Sequence, residues 1–414
     1  MKVTFVSDFL PCPPSSGVAL PLFHLIKGLQ KLHDVTYLYL DGGAHGFADD
    51  DSLVANARFV NLEVVRVRRK SRIRRAIDEI FQIAPYFHGF DLRNEQVPAK
   101  AQEADVYCFS PFTALAYSRS ETLNKKAVKM AWINDSTTAM MRSRINYLHM
   151  KGISAKKKLH LLTQWLRSFY MGRLEAAALA EYDRIFVQTA TEKRWIDRIS
   201  NGRLSEQTRV VTNGVNDALF KVPVGTAKPN FLFFGDMSGI YDSLAIWLLK
   251  NVWAILRDTV PNSNFYLIGK HASDAVLKIV QNDPRVHYQP YVENIEDIFL
   301  SKGVMLAPVF KDYGVINKVL ESMASGVPVI GDRTAYNGIP GFEDGTHGII
   351  ANSAEEMAAR AKQLLDDAVA YQLIATQARR LMQRSFSWES RIEVIDRIFR
   401  EACADTSDRN NNAG

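Results

Sequence analysis

Lys318 and Glu321 stand three residues apart in GVINKVLESMASGVPVIG, residues 314–331, a stretch made mostly of apolar and small residues. Gly314 belongs to a loop, Asn317 and Lys318 fall where a short helix begins, and a buried strand is expected at 327–330. Backbone N–H groups at a helix start favour negative charge, and a lysine in the first turn adds a cation there. A carboxylate three residues on shares the helix face and can accept hydrogen bonds from sugar hydroxyls. The pattern suits the holding of a diphosphate. The same residues also fit a plain strand–helix–strand crossover with a solvated Lys–Glu pair, and the rest of the chain must decide between them.

A second glycine-bearing stretch, FFGDMSG, places Gly235 directly after a strand and Gly239 four residues later. This is an ordinary strand-to-helix turn, or the facing wall of one cleft with residues 314–321. In the first half, Asn134-Asp135-Ser136 end a strand and lead into a helix. Asp135 either caps that helix or, facing an inter-domain cleft, accepts a proton from an attacking hydroxyl. Asp8 and the loop through Ser16 and Gly17 leave the first strand on the same side of the sheet, and they are candidates for shaping an acceptor pocket. Other chemistries lose support. No GxGxxG follows the first strand, and GxxxxGK[ST], HExxH and GxSxG are absent, as is any His–Cys pair at ligand spacing. No metal and no cofactor beyond a co-substrate is expected.

These residues need a frame. The chain has 414 residues, 47% of them hydrophobic, too many for one ordinary core, so two domains are expected. Strand-like runs at 3–7, 35–40, 64–67, 105–109, 127–133 and 184–188 alternate with helical spacing. A second series follows at 231–234, 265–268, 286–288, 303–307, 327–330 and 348–350, with helices at 243–257, 293–300, 316–325, 353–368 and 370–384. Such alternation predicts an α/β fold of parallel sheets, with ligands at the carboxyl ends of the strands. Asn213-Gly214 marks a turn, and the boundary is placed at 209–215. The expected organisation is a first domain over 1–210, a second over 211–385, a helix over 386–404 crossing back to the first, and a disordered tail over 405–414.

The formal charge of +6 is unevenly placed: residues 1–212 hold 31 Lys+Arg against 21 Asp+Glu, and the remainder 20 against 24. The first half therefore faces something anionic. Seven Lys/Arg fall between Arg66 and Arg75, beside Ile73, Ile77, Ile80 and Phe81. Lys156 to Lys158 precede Leu159, Leu162, Trp165, Leu166 and Phe169. A charge run can be simply a solvated face, but basic residues beside an aromatic-bearing apolar stripe suit an anionic membrane surface. Nucleic acid is a poorer fit, because no reading module accompanies the charge. Three scattered cysteines, a start without a leader pattern and no long apolar run predict a cytoplasmic protein, or one held peripherally on the inner face of the cytoplasmic membrane.

Taken together, NGVNDALF, FLFFGDMSGIYDSLAIWLLKNVWAIL, PNSNFYLIGK, VHYQPYVENIEDIF, GVINKVLESMASGVPVI and SFSW resemble the GT-B glycosyltransferases. The resemblance is greatest to the family 4 group that uses nucleotide-sugar donors in exopolysaccharide and lipid-linked glycan synthesis. The SSG loop, INDS and LEAAALAEYDRIFVQT extend it into the first half. It implies two Rossmann-like domains facing a cleft, an acceptor-binding first domain and a donor-binding second one. It further implies that Lys318 and the backbone of Gly314, Val315, Ile316 and Asn317 hold the donor diphosphate, with Glu321 on the ribose. Gly235 lets the wall approach the donor, and Tyr291-Val292 border the base. Tyr313 stands where the family commonly has a sugar-contacting glutamate, and Asp236 opens a segment where an Arg and a Lys are usual. Asp135 and the lysine-bearing helix are placed as in the xanthan glucuronosyltransferase type, which inverts; inversion and retention both stay open. The implied activity is transfer of a sugar from a UDP- or GDP-sugar to a hydroxyl of a lipid-linked or polysaccharide acceptor in cell-surface glycan synthesis, without a metal. Two alternatives remain: a non-catalytic glycan- or partner-binding scaffold at the membrane, and a phosphorylase or epimerase of the same architecture.

Overall fold

Short apolar runs that read as fully buried strands form two parallel sheets in the computed structural model, which describes residues 1–13, 19–42, 50–81, 89–91, 98–149, 153–300 and 303–412. The chain divides into two units. The first comprises Met1–Met140, Leu166–Asn213 and Trp388–Gly414, and the second Met141–Trp165 and Gly214–Ser387. Residues 141–165 thus group with the second unit, although a single break near 209–215 would leave them in the first.

The sheet of the first unit has seven strands in the order Asn61–Arg66, Asp34–Asp41, Lys2–Ser7, Val106–Phe109, Val128–Trp132, Arg184–Val187, Thr208–Val210. All of its pairings are parallel. A parallel sheet is covered on both faces, which is why these strands are runs of Val, Ile, Phe and Tyr rather than alternating patterns. One face packs Leu22, Leu25, Ile26 and Leu29 together with Ile395, Phe399 and Ala402 of the last helix. That helix runs Trp388–Asn412, past the expected end at 404 and through most of the tail expected to be disordered. Once nucleated by packing, a helix adds one hydrogen bond per residue fixed, so a polar continuation propagates at little cost. Arg184, the first residue of the strand next to the edge, also pairs with Asp405.

The second unit has six parallel strands in the order Val286–Gln289, Asn264–Ile268, Asn230–Phe234, Val304–Ala307, Val329–Gly331, Ile349–Ile350. The order reverses between Asn230–Phe234 and Val304–Ala307. Ligands of open α/β sheets lie at such a switch, outside the carboxyl ends of the strands. The helix expected over 243–257 begins at Ile240 and passes through a wider, π-helical turn over Leu248–Trp253 before ending at Thr259. The helix Asp274–Asn282, capped by Ser273, was not anticipated. Among the described residues, no helix is long and apolar enough to cross a membrane.

Candidate functional site

The switch point of the second unit is lined by the turn after Asn230–Phe234 and by the loop from Pro308 to Ile316. Gly235 follows the first of these strands at φ +136°, a conformation that L side chains rarely adopt. A Cβ there would lie 2.8 Å from Lys318 Nζ and 3.4 Å from its Cε. The two glycine- and lysine-bearing stretches therefore meet, and the absence of a side chain at Gly235 is what lets them.

The loop 308–316 is held by hydrogen bonds that its own sequence does not announce. Asp332, just past Val329–Gly331, accepts from the amides of Val309 at 2.5 Å and Phe310 at 3.1 Å. Its other oxygen accepts from the Thr334 amide and hydroxyl. From residues 141–165, Tyr147 donates its hydroxyl to the Val309 carbonyl at 2.8 Å, the Ser143 hydroxyl accepts from the Asp312 amide at 2.8 Å, and the Asn146 amide donates to Asp312 at 3.1 Å. Burial, reinforced by the Asp332 charge, raises the Asp312 carboxyl above its ordinary range. Phe310 takes a left-handed φ of +50° and packs edge-on against Trp247. Holding a bulky residue there costs about 1–3 kcal/mol, which the surrounding bonds must offset. Gly314 then turns the chain at φ +65° into the helix Asn317–Ala324. Ile316, at the start of that helix, makes no side-chain cap. Helix starts are normally capped by Ser, Thr, Asp or Asn, so an apolar residue leaves this positive end open to a ligand.

Lys318 is in the first turn of this helix. Its ammonium is shut off from solvent and has no hydrogen-bond partner among the described residues. It sits 3.9 Å from the ring centre of Tyr241 and 4.8 Å from that of Phe233, so the aromatic faces are its main counterweight. Burial, then the Lys311 charge, pull it down to about 7, against the opposing pull of Glu321. Glu321, one turn on, is pushed up to about 7 by burial, against the Lys318 charge. A buried cation without an acceptor is costly, and it is expected where a ligand supplies the missing charge.

The other residues expected on the donor side differ in exposure and partners. Tyr313 is buried, with Lys311 Nζ 4.3 Å from its ring centre. Ile316 is buried, Asn317 is half-buried, and Val315 packs against Gly338 and the apolar core. Tyr291 is 63% exposed beside Lys270, and Val292 packs inward. Asp236 is lowered: hydrogen bonds from Ser238 and His271 outweigh the burial that would raise it. Its carboxylate is engaged by His271 Nδ1 at 3.1 Å and the Ser238 amide at 2.9 Å. Lys157 donates to the Gly239 carbonyl at 3.0 Å and to Ser243 at 2.8 Å, bracing the turn after Gly235.

In the first unit, Asp135 is half-buried in the loop between Val128–Trp132 and the helix Thr137–Ser143. At the start of that helix the Ser136 hydroxyl accepts from the Ala139 amide at 3.2 Å, and Asp135 lies in the bend that leaves the strand. Two buried carboxylates grip the loop. Glu175 accepts from the Ser136 hydroxyl, the Thr137 and Thr138 amides and the Thr138 hydroxyl. Glu192, itself in a capping box with Thr189, accepts from the Ser136 amide at 3.0 Å. Burial raises the Glu175 carboxyl, opposed by those hydrogen bonds. Asp8 is buried and bound by Arg69 at 2.9 Å, so its carboxylate is already committed to an ion pair. Ser16 and Gly17 lie outside the described residues.

Sequence reasoning missed Asp332, the Phe233–Tyr241 faces around Lys318, and the Glu175–Glu192 grip. Only Tyr241, six residues beyond Gly235, offered a local signal.

Residues 228–367 match a family model described as glycosyl transferases group 1. No curated protein matches by sequence. Among solved structures, Anabaena HepE in complex with UDP superposes with a TM-score of 0.66 at 14% identity, over 97% of this chain and 100% of that one. Sucrose-phosphate synthase from Thermosynechococcus elongatus gives 0.63 at 14% identity, over 98% and 100%. The lipopolysaccharide outer core galactosyltransferase WaaB gives 0.60 at 12% identity, over 97% and 100%. The chain has the two Rossmann-like units of these structures, a GT-B fold, and the stretch that matches the glycosyl transferases group 1 model lies within its second unit.

Proposed function

We propose that the protein is a hexosyl-type glycosyltransferase that moves a sugar from a UDP- or GDP-sugar to a hydroxyl of a lipid-linked or polysaccharide acceptor, on the cytoplasmic side, in cell-surface glycan synthesis. The observation that carries this reading is the buried, unpartnered ammonium of Lys318 between the Gly235 turn and the uncapped start of Asn317–Ala324. A diphosphate supplies the acceptor oxygens it lacks, and Glu321 on the same helix accepts from ribose hydroxyls. The glycosyl transferases group 1 match over 228–367 supports the class. HepE, solved with UDP and with UDP-glucose, supports the donor, and WaaB, by its name, the cell-surface acceptor.

In the reaction the acceptor oxygen forms a bond to the anomeric carbon. The bond from that carbon to the diphosphate oxygen breaks, and the electron pair leaves with the nucleoside diphosphate. Charge develops on the departing phosphate, where Lys318 and the helix-start amides are already oriented. Asp135 takes the acceptor proton if the configuration inverts, and orients the hydroxyl if it is retained. The scheme requires no metal.

Tyr313, in the place of a sugar-contacting glutamate, favours a second reading, a non-catalytic scaffold that binds a glycan or partner. A panel of UDP- and GDP-sugars, offered with lipid-linked and polysaccharide acceptors, separates the two. Sugar transfer that disappears in Lys318→Ala with the fold intact supports the transferase. Nucleotide binding without turnover across the panel supports the scaffold, and full turnover by Lys318→Ala refutes the site.

A further inference from the structure

The helix Arg72–Ile80 in the first unit has its polarity reversed. Its buried residues are the acids Asp78 and Glu79. Its exposed stripe is Ile73, Ile77 and Ile80, at 74%, 39% and 69% exposure, with Phe81 just beyond at 71%. Positions i, i+4 and i+7 share one helix face, and a helix facing water normally turns its charges outward there. The acids are spent inward. Asp78 pairs with Lys70 and Arg74, each at 3.0 Å. Glu79 accepts from Arg167 and, at 2.9 Å, from the Tyr170 hydroxyl. Those bonds fasten the helix to the longer helix Ala155–Leu179, where Leu166 and Phe169 are 55% and 54% exposed.

Within residues 66–81 Arg66, Arg68, Arg72 and Arg74 are exposed, Arg74 while paired with Asp78, and no carboxylate is exposed. Scattered surface apolar residues need no explanation, but here four large ones share a short stretch of chain with four exposed arginines, and the acids of that stretch are buried. A water-soluble protein partner would require acids placed to match each arginine. A bilayer of anionic lipid supplies diffuse negative charge for the arginines and an acyl boundary for the isoleucines and phenylalanine at once.

We propose that this face of the first unit docks on an anionic lipid bilayer. The docking is independent of the transferase reading, and it would stand if that reading failed. The probe is co-sedimentation with vesicles of phosphatidylcholine and phosphatidylglycerol in equal parts, against phosphatidylcholine alone. The wild type is expected to sediment with the anionic vesicles only, and less so as salt is raised. Ile73→Ser/Ile80→Ser/Phe81→Ser should lose binding about tenfold or more, because all three side chains are exposed and their loss leaves the core untouched. Arg68→Gln/Arg72→Gln should lose about fivefold per arginine at low salt. The thermal melting of every variant, measured in parallel, verifies that the fold persists. Wild-type protein that stays in the supernatant, or a triple variant that binds as well as wild type, overturns the proposal. Vesicle-independent self-association that vanishes in the triple variant also overturns it, by assigning the face to a second copy of the chain.

Discussion

Nucleoside diphosphate binding should be linked to protons, in a way set by Lys318 and Glu321. In the empty site burial brings the Lys318 ammonium down to about 7 and the Glu321 carboxyl up to about 7. A bound diphosphate selects the charged ammonium. Above about pH 7 the empty site must therefore take up a proton to bind, and affinity falls by up to tenfold per pH unit, about 1.4 kcal/mol. Between about pH 7 and about pH 9 that amounts to a loss of up to about 100-fold. Glu321 acts in the opposite direction. As an ionised acceptor for ribose hydroxyls it must shed a proton on binding below its folded pKa, so affinity also weakens on the acid side. Affinity should peak near neutrality. Calorimetric titration of the wild type with UDP or GDP in buffers of different ionisation enthalpy reads the proton count directly. The reasoning is refuted if affinity is constant from about pH 7 to about pH 9 with no proton taken up.

Three further outcomes follow from the same geometry. Gly235→Ala places a methyl 2.8 Å from Lys318 Nζ at a φ of +136°, so it should cost about 1–3 kcal/mol in urea unfolding and also weaken nucleotide binding. Asp332→Ala releases the amides of Val309 and Phe310; a loss of about 2–3 kcal/mol is expected, with weaker UDP binding because the loop before Lys318 is freed. Glu175→Ala orphans the donors at Ser136, Thr137 and Thr138, so it should destabilise by about 3 kcal/mol or more while nucleotide affinity, a property of the other unit, stays unchanged.

Much of this frame could be read in the chain because parallel α/β sheets write themselves as local runs. The expected strand at 231–234 is Asn230–Phe234, and that at 265–268 is Asn264–Ile268. The helix expected over 316–325 is Asn317–Ala324. The meeting of Gly235 with Lys318 was also within reach, since both follow adjacent strands at a switch in strand order. What escaped was long-range: Asp332 acts on amides 22 and 23 residues earlier, and Glu175 reaches 39 residues back to Ser136. Buried carboxylates with backbone partners look in sequence like any surface acid, because their cost and their satisfaction arise only on packing. The allocation of residues 141–165 to the second unit escaped for the same reason, since Tyr147, Asn146 and Ser143 find their partners some 160 or more residues away in sequence.

The most direct test of the central claim, that the second unit holds a nucleoside diphosphate on Lys318, is a thermal-shift titration of wild type and Lys318→Met with UDP and GDP. A ligand bound only by the folded state stabilises it by about 2.7 kcal/mol at a hundredfold excess over its Kd. At least one of the two nucleotides should raise the melting temperature of the wild type, and neither should raise that of Lys318→Met, although the variant, freed of an unpartnered buried cation, melts no lower without ligand. A wild type that responds to neither nucleotide, or a variant that responds as the wild type does, contradicts the account.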